Sequence, residues 1–339
     1  MPLPGAWQAA FSSHKVNKPG ERFDVLATSE DGKTIFAETG ATGGQHELAM
    51  ITDGGRRRTI QSYPASDAKS QVLGASFDGR YLAFTLMHSR ASFDPWTLYV
   101  WDSVAGGSPK IIADNSGGDG GQGLPGPLNY PVGYQGKIVW VQAVPGDVVE
   151  IREYDTASGQ QKVVRRGHGA TPFRMGSWLV WPESDAPGAL TTLRAIGLDT
   201  GQPVTLPPQM TAITGPGTIS ASDDTVVWAS TDRQDLYAWN TSWPQPRHLL
   251  TLKPGAGLNF DWPHVAGDLV TWTDIQAQFA GDLRTGSYTQ ITPQYGYTKV
   301  WGTSLNVGFA PSANGEGDQV MIDTRTLPPL PTCGGSTTT

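Results

Sequence analysis

Apolar residues along this chain come in runs of three to five, each closed by a turn signal, and no run keeps a helical period for long. "GDLVTWTD" at residues 267–274 is typical. Gly267-Asp268 punctuates, then Leu269, Val270, Thr271 and Trp272 supply branched, β-branched and aromatic side chains suited to a strand. The same arrangement recurs in "GKIVWV" at Trp140, "GSWLVW" at Trp181 and "SDDTVVW" at Trp228, with Phe36, Phe84 and Phe309 in equivalent places. From Phe36 the anchors are spaced by 48, 56, 41, 47, 44 and 37 residues. A second marker follows each anchor, an Asp or Asn turn at Asp53, Asp102, Asp155, Asp199, Asn240, Asp282 and Asp323. Asp and Asn bond their own backbone in tight turns, so each marker predicts a hairpin. Two markers in constant order, seven times, indicate a repeat architecture.

Each repeat predicts about four short strands, and four-stranded antiparallel units at this period are blades of a β-propeller. The expected fold is all-β, a seven-bladed β-propeller of four-stranded antiparallel blades. It occupies residues 23–332, after an N-terminal segment 1–22 and before a flexible tail 333–339. A blade is sandwiched between its neighbours, so the central Trp or Phe is expected to pack blade against blade. Ligand stacking is the alternative role for Trp140, Trp181, Trp228 and Trp272. The Gly-rich stretch 111–129 accounts for the longest step and is expected as a loop. The last repeat runs into "LPPLP", a poor inner strand, so "AWQAAFSS" at residues 6–13 is expected to supply the strand that closes it. Trp96, beyond "SRASFDP", is expected in a loop.

The repeats resemble those of TolB-like β-propellers. "SFDGRYLAFTL" is close to that family's common form, and "PHVAGDLVTWTD" resembles a variant in bacterial and archaeal surface proteins. The resemblance covers about 300 residues. It implies a fold, while such propellers serve as binding modules, filtering domains or enzymes. Asn240 departs from the pattern by replacing the turn Asp.

Composition narrows the function classes. Net charge is −7 and the basic residues are scattered, which disfavours nucleic acid as a partner. No apolar stretch is long enough to span a membrane. "MPLPGAW" lacks the regions of a secretory signal. An extracytoplasmic protein, periplasmic or secreted, would carry its signal outside this chain; a cytoplasmic location is the alternative. The single cysteine, Cys333, permits no internal disulfide. HExxH, CxxC and GxSxG motifs are absent. The GxGxxG at Gly118–Gly123 has no following helix to hold a phosphate, and Asp114 and Asp119 lack calcium-loop spacing. No cofactor and no metal are expected.

Polar and aromatic residues gather in the loops expected on one propeller face, including His46, Asp94, Asn129, His168, Glu183, Asp261, Tyr295 and Tyr297. The candidate ligand-binding set is His88, Arg90, Tyr130, Arg174, Asp232, Arg233, Trp262 and His264. Taken singly, each also fits a solvated loop or a capping role. Aromatic and Arg side chains without a nucleophile–base pair point to a monomeric recognition propeller for a protein, peptide or glycan. The alternatives are a propeller lyase of acidic polysaccharides, using His and Arg, and a sensor or scaffold domain of a longer envelope protein.

Overall fold

A computed structural model describes residues 2–332 except 19–20, 42–44, 53–54, 64–69, 89–94, 116–123, 125–126, 147, 254–256, 275, 295 and 309–318. Arg90, Asp94, Tyr295, Phe309, Asp53, the GxGxxG stretch and the tail from Cys333 lie outside the described residues. The chain divides into a continuous unit, Glu21–Gly215, and a split unit, Met1–Gly20 with Pro216–Thr339.

In the continuous unit, β1–β4 (Glu21–Thr28, Thr34–Ala41, His46–Thr52, Arg56–Tyr63) form one antiparallel meander. A second is β5–β8 (Gln71–Phe77, Tyr81–Met87, Trp96–Asp102, Lys110–Asp114). A third is β9–β12 (Val132–Tyr134, Lys137–Val144, Val148–Asp155, Gln161–Gly169). The fourth group is β13–β15 (Phe173–Met175, Trp178–Ser184, Thr192–Gly197), joined to the third where His168 and Gly169 pair with Ser184 and Glu183. Its outer strand is reduced to the bridge Ile196–Pro203, because Pro203 cannot donate to a ladder. A short helix follows at Pro208–Thr211.

In the split unit, β16–β19 (Thr218–Ala221, Thr225–Ala229, Asp235–Asn240, Arg247–Thr251) and β20–β23 (Asp261–Ala266, Leu269–Thr273, Gln278–Asp282, Ser287–Thr292) are four-stranded. The last group, β24–β26 (Thr298–Trp301, Ser304–Gly308, Gln319–Asp323), has three strands of its own.

The N-terminal segment departs from expectation. Residues 6–13 are not a strand; Gly5–Ser13 is helical. Ala and Gln favour a helix, and Trp7 and Phe11, four apart, fall on one face and are buried. The indole of Trp7 donates to the Pro328 carbonyl at 3.0 Å. The chain next to the helix takes the edge of β26: Lys15 bridges Val320, Val16 N–H donates to Gln319 O, and Met321 N–H donates to His14 O.

Apolar clusters lie between successive sheets rather than within them. Phe36, Leu48 and Ile60 meet Val72, Phe84 and Trp101, and Trp96, Leu98 and Ile112 meet Ile138 and Trp140. Val139 and Ile151 meet Leu179 and Trp181; Val227 and Leu236 meet Val265 and Trp272. Phe36, Phe84, Trp140, Trp181 and Trp272 are therefore packing residues between blades. Trp96, expected in a loop, is a strand residue of the core. It opens β7, pairs with Met87, and is buried, with its N–H donating to Asn115 Oδ1 at 2.7 Å.

The second marker is equally physical. Asp102 Oδ1 accepts from Val104 and Ala105 N–H, and Asp155 Oδ1 accepts from Ala157 and Ser158 N–H. Asp282 and Asp323 accept from the N–H groups of Arg284 and Arg325, and Asn240 Oδ1 does the same for Ser242. The amide at Asn240 thus preserves the turn. Hydrogen bonding from Arg80 lowers the Asp102 pKa to about 2, and the Ser158 N–H lowers that of Asp155. Hydrogen bonding from Arg325 lowers Asp323; burial would raise Asp282, but its bonds to Arg284 outweigh that and lower it. A carboxylate whose folded pKa lies below its unfolded value stabilises above the unfolded pKa and loses that contribution as pH falls. The unfolding midpoint is expected to decline between about pH 5 and pH 2, and less steeply in Asp102→Asn. A thermal pH series checks this; identical slopes in the two proteins would contradict it.

Candidate functional site

Three candidates of the split unit, Asp232, Arg233 and Trp262, come together at one end of its strands, and His264 lies further along β20. The β17–β18 turn is built by Ser230, whose hydroxyl accepts from the N–H of Gln234 and Asp235 and donates to Asp232 Oδ1 at 2.5 Å. These bonds lower the Asp232 pKa, the Ser230 hydroxyl contributing most. Arg233 occupies the left-handed region at φ 57°, which costs a non-glycine residue about 1–2 kcal/mol. Its N–H donates to Ser230 O and its carbonyl accepts from Phe260 N–H. The side chain lies across Gly217, where a Cβ would come within 2.6 Å of Arg233 Cγ. Its guanidinium donates to Asp261 Oδ1 at 2.7 Å.

The next residue of β20, Trp262, also has positive φ, 51°. It sits in an irregularity between the pairs Asp261–Thr273 and His264–Thr271. Such a bulge re-aims a side chain, and the Trp262 indole meets Tyr297 edge-on, with centroids 6.1 Å apart. His264, two residues on, meets Trp301 at 6.3 Å. Its partial burial, with the nearby Lys299 charge, disfavours the protonated imidazole and lowers the His264 pKa. Lys299 lies 5.6 Å from the ring centres of both Tyr297 and Trp301. Lys299 and Trp301 escaped the sequence reading. The alternation in "YTKVW" was the available signal, but only the burial of Thr298 and Val300 shows which face of β24 is open.

In the continuous unit, His88 follows β6 and its Nε2 pairs with Thr97 Oγ1 at 2.8 Å. Tyr130 precedes β9 and packs on Gly74, where a Cβ would come within 2.4 Å of its ring. Arg174 does not join them. It lies in β13 beside the Gly176 turn, donating to Gly176 O, with Tyr134 of the β9–β10 turn 5.9 Å away. This is the opposite end of the strands from the β6–β7 connection, because β13 is too short to carry a side chain from one end to the other. Three other loop candidates are structural. His46 is buried against Glu38 at 3.1 Å, and His168 pairs with Ser184 in the ladder. Glu183 is buried in β14. Burial would raise its pKa, but hydrogen bonds from Arg165 and the Trp181 indole hold it down.

The turn end of the continuous unit has an open cleft of about 330 Å³ at Asp78, Arg80, Tyr81, Gln135 and Gly136. Its polar groups are committed internally: Asp78 accepts from the N–H groups of Arg80, Tyr81 and Gly136, and Arg80 is paired to Asp102. Among the described residues, no group of three or more His, Cys, Asp or Glu could hold a metal ion. Among them also, no helix is long and apolar enough to cross a membrane.

No protein-family model matches the chain, and no curated protein matches it in sequence. Solved structures do match. A prolyl endopeptidase is similar over 95% of this chain and 49% of its own, with 15% identity and a TM-score of 0.58. The β-propeller domain of the Trilobed protease from Pyrococcus furiosus is similar over 81% of this chain and 84% of that one, with 12% identity and a TM-score of 0.53. A putative TolB from Agrobacterium tumefaciens is similar over 89% and 90%, with 14% identity and a TM-score of 0.39. The chain spans about half the length of the prolyl endopeptidase. At these identities the first two likenesses show the fold, a β-propeller, in agreement with the repeats.

Proposed function

We propose that this propeller is a recognition module that binds a protein, peptide or glycan without turning it over. The observation that carries the reading is the pair of left-handed, non-glycine residues Arg233 and Trp262, linked through Asp261. Strain of this kind persists where surrounding bonds over-determine it, and it pre-organises side chains for binding. Arg and Trp are also the side chains that most often anchor interfaces. Asp232 belongs to the same end of the split unit, His264 lies further along β20 beside Trp301, and His88 and Tyr130 remain candidates of the continuous unit. The monomeric state and the extracytoplasmic location that go with this reading are supported by the repeat resemblance alone.

Arrayed oligosaccharides, neutral and uronic, together with acidic and basic peptides, provide the test. Arg233→Ala is expected to weaken binding about thirtyfold, the loss of a 2 kcal/mol anchor. The unfolding midpoint should barely move, because an exposed ion pair contributes little. Arg174→Ala, at the opposite end of its strands, should bind normally. Unchanged binding in Arg233→Ala would refute the site. Steady formation of unsaturated uronic product, followed by absorbance, would replace the binding reading with the lyase.

A further inference from the structure

We infer that Trp262 and His264 of β20, with Tyr297, Lys299 and Trp301 of β24, form a subsite for a uronic-acid residue of an acidic glycan. The inference deepens the recognition reading and rests on it. In β24 the side chains alternate: Thr298 and Val300 are buried, while Lys299 and Trp301 are half-buried and Tyr297, just before the strand, is exposed. In β20 Pro263 and Val265 are buried, while Trp262 and His264 are half-buried. The two open faces meet in two rungs, Trp262 with Tyr297 and His264 with Trp301. Tyr297 and Trp301 are four residues apart, about 13 Å along an extended chain. Lys299 stands between them.

The charge arrangement selects the ligand. Arg233, Arg284 and Arg325 are each held by a carboxylate, at 2.7, 2.8 and 2.6 Å. Among the described residues Lys299 makes no ion pair, and its ammonium lies over the two rings. Along this strip the cation is an ammonium held over rings, open to a monovalent carboxylate, whereas Arg247, also without an ion pair among the described residues, donates to Leu283 O and lies over Trp243. A phosphate dianion is best matched by several converging donors, such as a guanidinium fork or a helix N-terminus, whereas this strip offers one ammonium. A peptide added as a strand would need a gap between β20 and β24, which the two rungs close. Pyranose rings suit the strip better. Their C–H faces stack on indole and phenol, and the uncharged His264 ring can both donate to and accept from hydroxyls.

Calorimetric titration of the whole chain with oligoglucuronate, a neutral glucan of equal length and poly-glutamate tests the assignment. Oligoglucuronate is expected to bind at least tenfold more tightly than the glucan, with affinity falling as salt rises. Lys299→Met should remove that preference, and Trp301→Ala should weaken both sugars while Trp301→Phe restores them. Melting curves establish that each variant is folded. Absent oligoglucuronate binding, or an unchanged preference in Lys299→Met, overturns the subsite. Poly-glutamate binding that depends on Arg233 and not on Lys299 would overturn it too, yet leave the recognition reading standing. If neither Arg233→Ala nor Lys299→Met alters binding of any ligand, both fall.

Discussion

Trp272→Ala is expected to cost about 3–5 kcal/mol of folding stability. Trp272 is 1% exposed at the centre of β21. It stacks on Phe279 with centroids 5.5 Å apart and meets Phe260 edge-on at 6.3 Å. Its cluster joins the β16–β19 and β20–β23 sheets, so the cavity would open between blades, where neither sheet can close it alone. Trp96→Ala should be costly too, of the same order of about 3–5 kcal/mol, because Trp96 packs into the cluster that contains Trp140. Trp228 is the more exposed of the three, at 9%, and lies face to face with Tyr237. Its replacement should cost less than that of Trp272. Chemical denaturation of the three variants gives the order. A negligible loss for Trp96→Ala would return that residue to a loop.

Deleting residues 1–17 should lower the thermal midpoint as a cooperative shift, with a loss of about 3–6 kcal/mol. That figure follows from losing the burial of two large aromatic side chains, Trp7 and Phe11, at about 1.5–3 kcal/mol each. Trp7 and Phe11 are packed with Val300, Leu305, Val307, Val320 and Ile322. The same deletion unpairs the edge of β26, which His14, Lys15 and Val16 occupy, and removes Asn17, whose Oδ1 accepts from Gln319 N–H at 2.8 Å. An uncovered strand edge also invites aggregation. Trp7→Ala separates the effects, since it empties the helix contact while keeping the strand pairing. It should reproduce about half of the loss. A midpoint unchanged by the deletion would make the segment a dispensable tail.

The sequence by itself determined the repeat, its all-β character and the chemistry of its turns. These are local properties: a run such as Val226-Val227-Trp228 favours an extended chain wherever it occurs, and an Asp or Asn at Asp102 or Asn240 closes a turn with its own backbone. Part of the candidate site was legible for the same reason, since Arg233 and Trp262 stand in interruptions of the pattern. Tertiary structure decided the rest. Helix or strand at residues 6–13 depended on whether a partner face awaited Trp7 and Phe11. Loop or core at Trp96 depended on the neighbouring sheet. Arg174 parted from His88, within the same unit, because a two-residue turn at Gly176 reverses its strand at the far end. Lys299 and Trp301 became site residues only when burial of Thr298 and Val300 chose the open face of β24. A strand's alternation states that two faces differ; which one is covered is settled by what packs against it.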